Sequence, residues 1–133
     1  KLEKAQLVLY NTKLSDVGGE ALASGLDRPH LQDLDLRIRD TEVADLTGVS
    51  LGRALSKCPG MLKLHLELGS SKMADASGSA LGQALQTCGK ITNATIMLHN
   101  TKITDVGGEP LARGLDRPEL KDLTLYLRDT AVG

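Results

Sequence analysis

The chain has 133 residues, 41% of them hydrophobic and 25% charged, a balance typical of one modest globular domain. Its 16 basic and 17 acidic residues leave a formal net charge of −1, which argues against nucleic acid as a partner. No apolar run approaches the roughly 18 residues that a membrane span requires, so direct membrane insertion is not expected.

Aromatic residues and cysteines are both scarce. The chain has two Tyr, no Phe and no Trp, so its core must be aliphatic. Its two cysteines, Cys58 and Cys88, lie 30 residues apart in a charged sequence that is unlike a secreted disulfide scaffold. We therefore predict buried free thiols, with a disulfide or a metal pair as the alternative, and an intracellular location is favoured.

One segment recurs along the chain about every 30 residues. The segment "LQDLDLRIRD" at residues 31–40 is nearly repeated as "LKDLTLYLRD" at residues 120–129, and residues 11–43 recur at 100–132 with 23 of 33 positions identical. Steps of 29, 30, 30 and 29 residues separate five unit starts. Units 1 to 5 start at Leu2, Leu31, Met61, Ile91 and Leu120. Positions within each unit are counted from these residues, and the fifth unit is incomplete.

Each unit has two halves with different apolar periods. Positions 4, 6 and 8 are apolar, as in Leu34, Leu36 and Ile38, which is the period of a strand with one buried face. Later in the unit two leucines stand four residues apart, as in Leu51 and Leu55, which marks one helix face. Alternating strands and helices with short links predict an α/β fold with parallel strands. Because helices are wider than strand spacings, the stack should curve, with the sheet on its concave side.

The junctions between the halves carry further signals. An Asp stands 14 residues after each of the first four unit starts, before Gly-rich sequence, and we predict that its carboxylate caps the helix that follows it. These residues are Asp16, Asp45, Asp75 and Asp105. Pro110 predicts that the fourth helix begins near residues 108–110. Three prolines are expected to follow the ends of helices. They are Pro29, Pro59 and Pro118.

The segment "LQDLDLRIRDTEVADLTGVSLGRALSKC" and its relatives resemble leucine-rich repeats of the ribonuclease-inhibitor-like class, in the long 29–30-residue variant of large proteins from single-celled eukaryotes. The resemblance rests on an L-x-x-L-x-L pattern, an Asn-or-equivalent turn, a D-x-G step and an A-L-x-x-A-L helix. It implies a leucine-rich-repeat solenoid formed by a single array over residues 1–133. One departure is the third alternating apolar residue, at position 8, which implies longer strands. Inhibition of a ribonuclease is not carried over.

Both ends of the array lack the polar cap that terminal repeats normally carry. We therefore expect the chain to be a segment of a longer array, or its ends to be covered by another subunit. No catalytic, cofactor or metal motif is recognisable, and the three histidines are too far apart for a local ligand motif. We predict that the chain is not an enzyme and binds no cofactor or metal.

Positions 5, 7 and 9 should point out of the concave face of the sheet, where neighbouring units align them in rows. This face gathers both Tyr, one Met and three Arg, residue types that are enriched at protein interfaces. The candidate protein-binding residues are Tyr10, Asp35, Arg37, Arg39, His65, Glu67, Met97, His99, Tyr126 and Arg128. Alternation alone also makes this face polar, so a merely solvated sheet is the alternative, and the helical side or the ends are rival surfaces.

These features favour a non-catalytic protein-interaction module, or a structural subunit, whose protein partners belong to a large multi-subunit complex. The alternative is a regulator of an enzyme, such as an inhibitor or a GTPase-activating surface, or the recognition domain of a larger enzyme.

Overall fold

The computed structural model describes residues 2–128 and residue 130, in which five strands alternate with four helices. The strands are β1 (Lys4–Val8), β2 (Asp33–Arg37), β3 (Lys63–Glu67), β4 (Asn93–Met97) and β5 (Asp122–Tyr126). The helices are α1 (Asp16–Gly25), α2 (Asp45–Leu55), α3 (Asp75–Thr87) and α4 (Asp105–Leu115). The strands form one parallel sheet in sequence order. The predicted α/β class with alternating strand-helix units is confirmed.

Strands pair at identical positions of neighbouring units. Asp35 lies opposite His65, for example, and Arg37 lies opposite Glu67. Each strand has five residues, but hydrogen bonds between units continue past its end, as from the Ile38 N–H to the Glu67 carbonyl at 2.9 Å. The third apolar residue therefore adds hydrogen bonds between units without lengthening the strand itself.

The inward positions of the strands and the leucines of the helices form one aliphatic core. In the central units this core is closed: Leu34, Leu51 and Leu66 are all 0% exposed. Towards the two ends it opens, because Leu7 in β1 and Leu125 in β5 are only partly buried. Each unit thus buries its apolar face against the neighbouring units.

Successive helices pack closely because glycines lie where they meet. A Cβ added at Gly82 in α3 would lie 2.3 Å from the carbonyl oxygen of Pro110 in α4. A Cβ added at Gly52 in α2 would lie 2.8 Å from the carbonyl oxygen of Ala80 in α3. Backbones at this separation leave no room for a side chain.

The helix boundaries confirm one expectation from the prolines and contradict another. Pro29, Pro59 and Pro118 follow the ends of α1, α2 and α4, as predicted. Helix α4 nevertheless begins at Asp105 and contains Pro110, so the predicted start near residues 108–110 is wrong. A proline at the sixth helical residue removes one helical hydrogen bond, and α4 tolerates this loss.

The aspartates at the helix starts cap the helix of the next unit. Asp45 Oδ1 accepts hydrogen bonds from the N–H groups of Ala74 and Ser77, at 2.9 and 3.2 Å, and from Ser77 Oγ at 2.6 Å. Asp16 and Asp75 accept equivalent bonds from units 2 and 4. The prediction that each carboxylate caps its own helix is therefore wrong for these three residues. They are the first residues of their own helices and join one unit to the next.

Candidate functional site

The outward face of the sheet consists of three rows of side chains. The strand register aligns position 5 as Gln6, Asp35, His65, Thr95 and Thr124, and position 7 as Val8, Arg37, Glu67, Met97 and Tyr126. Position 9, beyond each strand, comprises Tyr10, Arg39, Gly69, His99 and Arg128. All ten predicted interface residues occur in these rows. The structure separates them into two groups with different surroundings.

Glu67 is the centre of the first group, which spans units 1 to 3. Its Oε2 lies 2.7 Å from His65 Nε2 and 3.5 Å from Arg37 Nε. Its Oε1 accepts a hydrogen bond from the Tyr10 hydroxyl at 3.2 Å and lies 3.3 Å from Arg39 Nε. Glu67 itself is only 7% exposed. The group, called the Glu67 cluster below, comprises Tyr10, Asp35, Arg37, Arg39, His65 and Glu67.

Both arginines of the cluster already have acidic partners. Arg37 binds Asp35 through two hydrogen bonds, from Nε at 2.8 Å and from Nη2 at 3.1 Å. Arg39 pairs with Asp40 at 3.1 Å, and its guanidinium lies 4.0 Å from the centre of the Tyr10 ring. Such a cation–π contact adds modest stability at a partly exposed site.

Hydrogen bonds and neighbouring charges keep the carboxylates of the cluster ionised. Burial raises the pKa of Glu67, but hydrogen bonds from His65 and Tyr10 and the charge of Arg37 lower it further, to a net value below the ordinary 4.5. The hydrogen bond from Arg37 likewise lowers the pKa of Asp35. At neutral pH the Glu67 cluster is therefore a charge-balanced network.

The second group, in units 4 and 5, has few such contacts. The unit 4–5 patch comprises Met97, His99, Tyr126 and Arg128. Tyr126 is 51% exposed and Arg128 is also exposed, and within the described part of the chain neither side chain has a hydrogen-bond or ion-pair partner. The patch therefore presents an aromatic ring and an unneutralised guanidinium to solvent.

Gly69 and His99 form the boundary between the two groups. A Cβ added at Gly69 would lie 2.3 Å from Cε1 of His99, so the imidazole occupies the space above this glycine. The His99 Nδ1 atom is enclosed without a hydrogen-bond partner among the described residues. Packing therefore fixes the position of this ring on the outward face.

The cysteines lie at the opposite side of the units, behind the helices. Both are buried and free, which confirms the prediction of buried thiols. Their Sγ atoms lie 3.4 Å from the Leu26 carbonyl oxygen, for Cys58, and 3.2 Å from the Leu55 carbonyl oxygen, for Cys88. Burial raises the pKa of both thiols, that of Cys88 to about 11.

Sequence reasoning missed a row of exposed apolar residues at the helix starts. Val17, Leu46 and Val106, each the second residue of its helix, are 86%, 61% and 73% exposed. The repeat alignment itself carries the signal, because the equivalent residue in unit 3, Ala76, is also apolar. This row is separate from the outward face of the sheet.

Neither a membrane-spanning helix nor a grouping of His, Cys, Asp and Glu side chains suited to a metal ion occurs among residues 2–128 and 130. No protein-family model matches the chain, and a comparison with curated proteins found no significant match.

Proposed function

We propose that this chain is a leucine-rich-repeat solenoid of the ribonuclease-inhibitor-like class, with the sheet on its concave side and the helices on its convex side. Five units in register, parallel strands in sequence order and leucines at the repeated inward positions support this proposal. A left-handed backbone at position 10 of four units also supports it, at the site of the Asn-or-equivalent turn. These residues are Asn11, Asp40, Ser70 and Asn100, with φ between 49° and 57°.

Its function, we infer, is that of a non-catalytic protein-interaction module or scaffold subunit that binds a protein partner through the outward face. One observation carries this inference: the unpaired side chains of Tyr126 and Arg128 lie beside Met97 and His99. Tyr, Arg and Met are over-represented at protein interfaces, and Tyr and Arg supply much of their binding energy. The unit 4–5 patch is the principal contact in this proposal.

The Glu67 cluster has a secondary role in the same proposal. A partner that binds Arg37 or Arg39 must compete with Asp35, Asp40 and Glu67, which already neutralise these guanidinium groups. Its contribution is therefore to hold a fixed pattern of charge beside the patch, which favours specificity over affinity.

A comparative pull-down tests the proposal. The tagged chain and its Tyr126→Ala/Arg128→Ala variant would be used to recover partners, quantified by mass spectrometry. We expect recovery to fall about tenfold or more, because two interface residues of these types each contribute about 1 kcal/mol or more. The matched control is Arg53→Ala/Val106→Ala, which removes one exposed arginine and one exposed apolar residue from the helices.

Equal recovery by the wild-type chain and the Tyr126→Ala/Arg128→Ala variant would contradict the outward-face proposal. An enzyme or GTPase as the sole partner would instead favour the regulatory function.

A further inference from the structure

The contacts between units repeat the same chemistry, beginning with the helix starts. Between units 3 and 4, Asp75 Oδ1 accepts hydrogen bonds from the N–H groups of Thr104, at 2.7 Å, and Gly107, at 3.0 Å. Asp16 and Asp45 accept the equivalent bonds in the two preceding contacts. An anionic side chain is favourable here because the first N–H groups of a helix have no partner within it.

The helix ends provide a second connection. Arg117 of unit 4 donates from Nη1 to the Leu85 carbonyl oxygen at 2.6 Å and from Nη2 to the Cys88 carbonyl oxygen at 2.5 Å. Units 2 and 3 use a thiol instead, since Cys58 and Cys88 contact the equivalent carbonyl oxygens of the preceding helices. Each unit therefore binds both ends of the helix that precedes it.

Unit 1 has the receiving groups of unit 4 but no helix to bind. Ser15 and Gly18 correspond to Thr104 and Gly107, yet no described residue accepts a hydrogen bond from their N–H groups. Arg28 corresponds to Arg117, yet it is exposed and donates only to the Gly25 carbonyl oxygen of its own helix, at 3.1 Å.

The apolar residues at this end of unit 1 show the same contrast. Leu2 is 41% exposed, and Leu2, Ala5 and Leu7 line an open cavity together with Leu22 and Leu26. The residues that correspond to the first three in unit 4 are buried. They are Ile91, Ala94 and Ile96, at 0%, 3% and 0% exposure.

We propose that this end of unit 1 is a docking surface for one further strand-helix unit of the unit 3 type. That unit would present an aspartate in the first turn of its helix, carbonyl oxygens at the helix end for Arg28, and an aliphatic strand face. The choice of unit 3 follows from the sequence: residues 11–43 match residues 100–132 at 23 of 33 positions, and unit 4 docks on unit 3. The surface does not depend on what the outward face binds.

An extended chain tests this proposal, with a copy of residues 61–90 placed directly before Leu2 of the full sequence. Amide hydrogen exchange, resolved by residue, compares the native and extended chains. Exchange at Ser15 and Gly18 should slow by about tenfold or more once a carboxylate accepts their hydrogen bonds. Exchange at Ala44 and Thr47, which already donate to Asp16, should change less.

Two sets of substitutions make the test specific. Replacing the copied counterpart of Asp75 by Ala should restore fast exchange at Ser15 and Gly18, whereas replacing the copied counterpart of the exposed Lys72 should not. Arg28→Ala should lower the denaturation midpoint of the extended chain and leave that of the native chain unchanged. Arg117→Ala should lower both midpoints, because Arg117 already has its carbonyl partners.

Three results would overturn the proposal. One is unchanged exchange at Ser15 and Gly18 in the extended chain. Another is a copied unit that stays unfolded, by circular dichroism, while the other units fold. The third is a dimer of the native chain, detected by sedimentation, that protects these two amides, because a second whole copy would then occupy the surface.

Discussion

Glu67 illustrates what alternation in a sequence does and does not predict at the scale of single residues. The period of two correctly placed Asp35, Arg37, His65 and Glu67 on one face, because pleating fixes the direction of each side chain. The hydrogen-bond partners could not be predicted, because Arg37 has a carboxylate in its own strand and another in the next. It binds Asp35 at 2.8 Å and lies farther from Glu67, at 3.5 Å.

The lowered pKa of Glu67 predicts a specific loss of stability in acid. Because this pKa is lower in the folded chain than its ordinary value of 4.5, ionised Glu67 stabilises the fold fully above that value. The stabilisation is lost as the pH falls through the folded pKa. We expect Glu67→Gln to flatten the decline of the guanidinium denaturation midpoint below pH 4.5, measured by circular dichroism.

The control for this experiment is Glu42→Gln, which changes an exposed carboxylate at a loop position. If the midpoint of Glu67→Gln fell with pH as steeply as that of the native chain, the stabilising role assigned to ionised Glu67 would be wrong.

Burial of the cysteines predicts that they are chemically inert in the folded chain. A Cys88 pKa of about 11 leaves roughly one thiol in ten thousand as the reactive thiolate at pH 7, and burial also blocks access. We expect iodoacetamide to label neither Cys58 nor Cys88 until the chain is unfolded, as measured by intact mass. Rapid labelling of the native chain would contradict the buried positions.

At the scale of single elements, the sequence placed the strands and helices well and misassigned the caps. The apolar periods located four helices that begin at Asp16, Asp45, Asp75 and Asp105. The sequence could not show that three of these aspartates act on the next unit, because a capping residue and its helix are usually adjacent in the chain. Only the stacking of units brings Asp45 beside Ser77.

The close approach of α3 and α4 predicts that Gly82 cannot be enlarged. In Gly82→Ala the new Cβ would meet the Pro110 backbone, which cannot move aside like a flexible side chain. We expect the free energy of unfolding to fall by about 1–3 kcal/mol, measured by denaturant titration, as is usual for overpacking. Gly25→Ala is the matched control, since nothing lies within 4 Å of its Cβ position at the end of α1.

Alanine is the better helix former, so Gly25→Ala should leave stability unchanged or raise it by about 0.5–1 kcal/mol. Equal effects of the two substitutions would contradict the tight contact between α3 and α4.

At the scale of the whole molecule, the chain is a one-dimensional stack. Each helix contacts only the helices before and after it, and each strand only its neighbouring strands. The 29–30-residue repeat in the sequence predicted this order, since copies of one apolar pattern can share a core only by stacking. The opening of the core at the ends, seen at Leu7 and Leu125, depends on which neighbours are present and could not be assigned residue by residue.

A linear stack predicts that distant substitutions act independently. Asp16→Ala weakens the contact between units 1 and 2, and Thr104→Ala weakens the contact between units 3 and 4. Their effects on the free energy of unfolding should add within about 0.5 kcal/mol. Asp75→Ala and Thr104→Ala disrupt the same hydrogen bond, at 2.6 Å, so the double variant should lose less than the sum. Denaturant titration of the single and double variants measures both cycles.

The positions of the two tyrosines determine which optical signals the chain can give. With no Trp or Phe and an aliphatic core, its near-ultraviolet absorption and intrinsic fluorescence come chiefly from Tyr10 and Tyr126. Tyr10 lies under Arg39 and hydrogen-bonds Glu67, whereas Tyr126 is half exposed on the other side of the same face. Light emitted by this protein therefore reports on its outward surface, and the hydrophobic interior is spectroscopically almost dark.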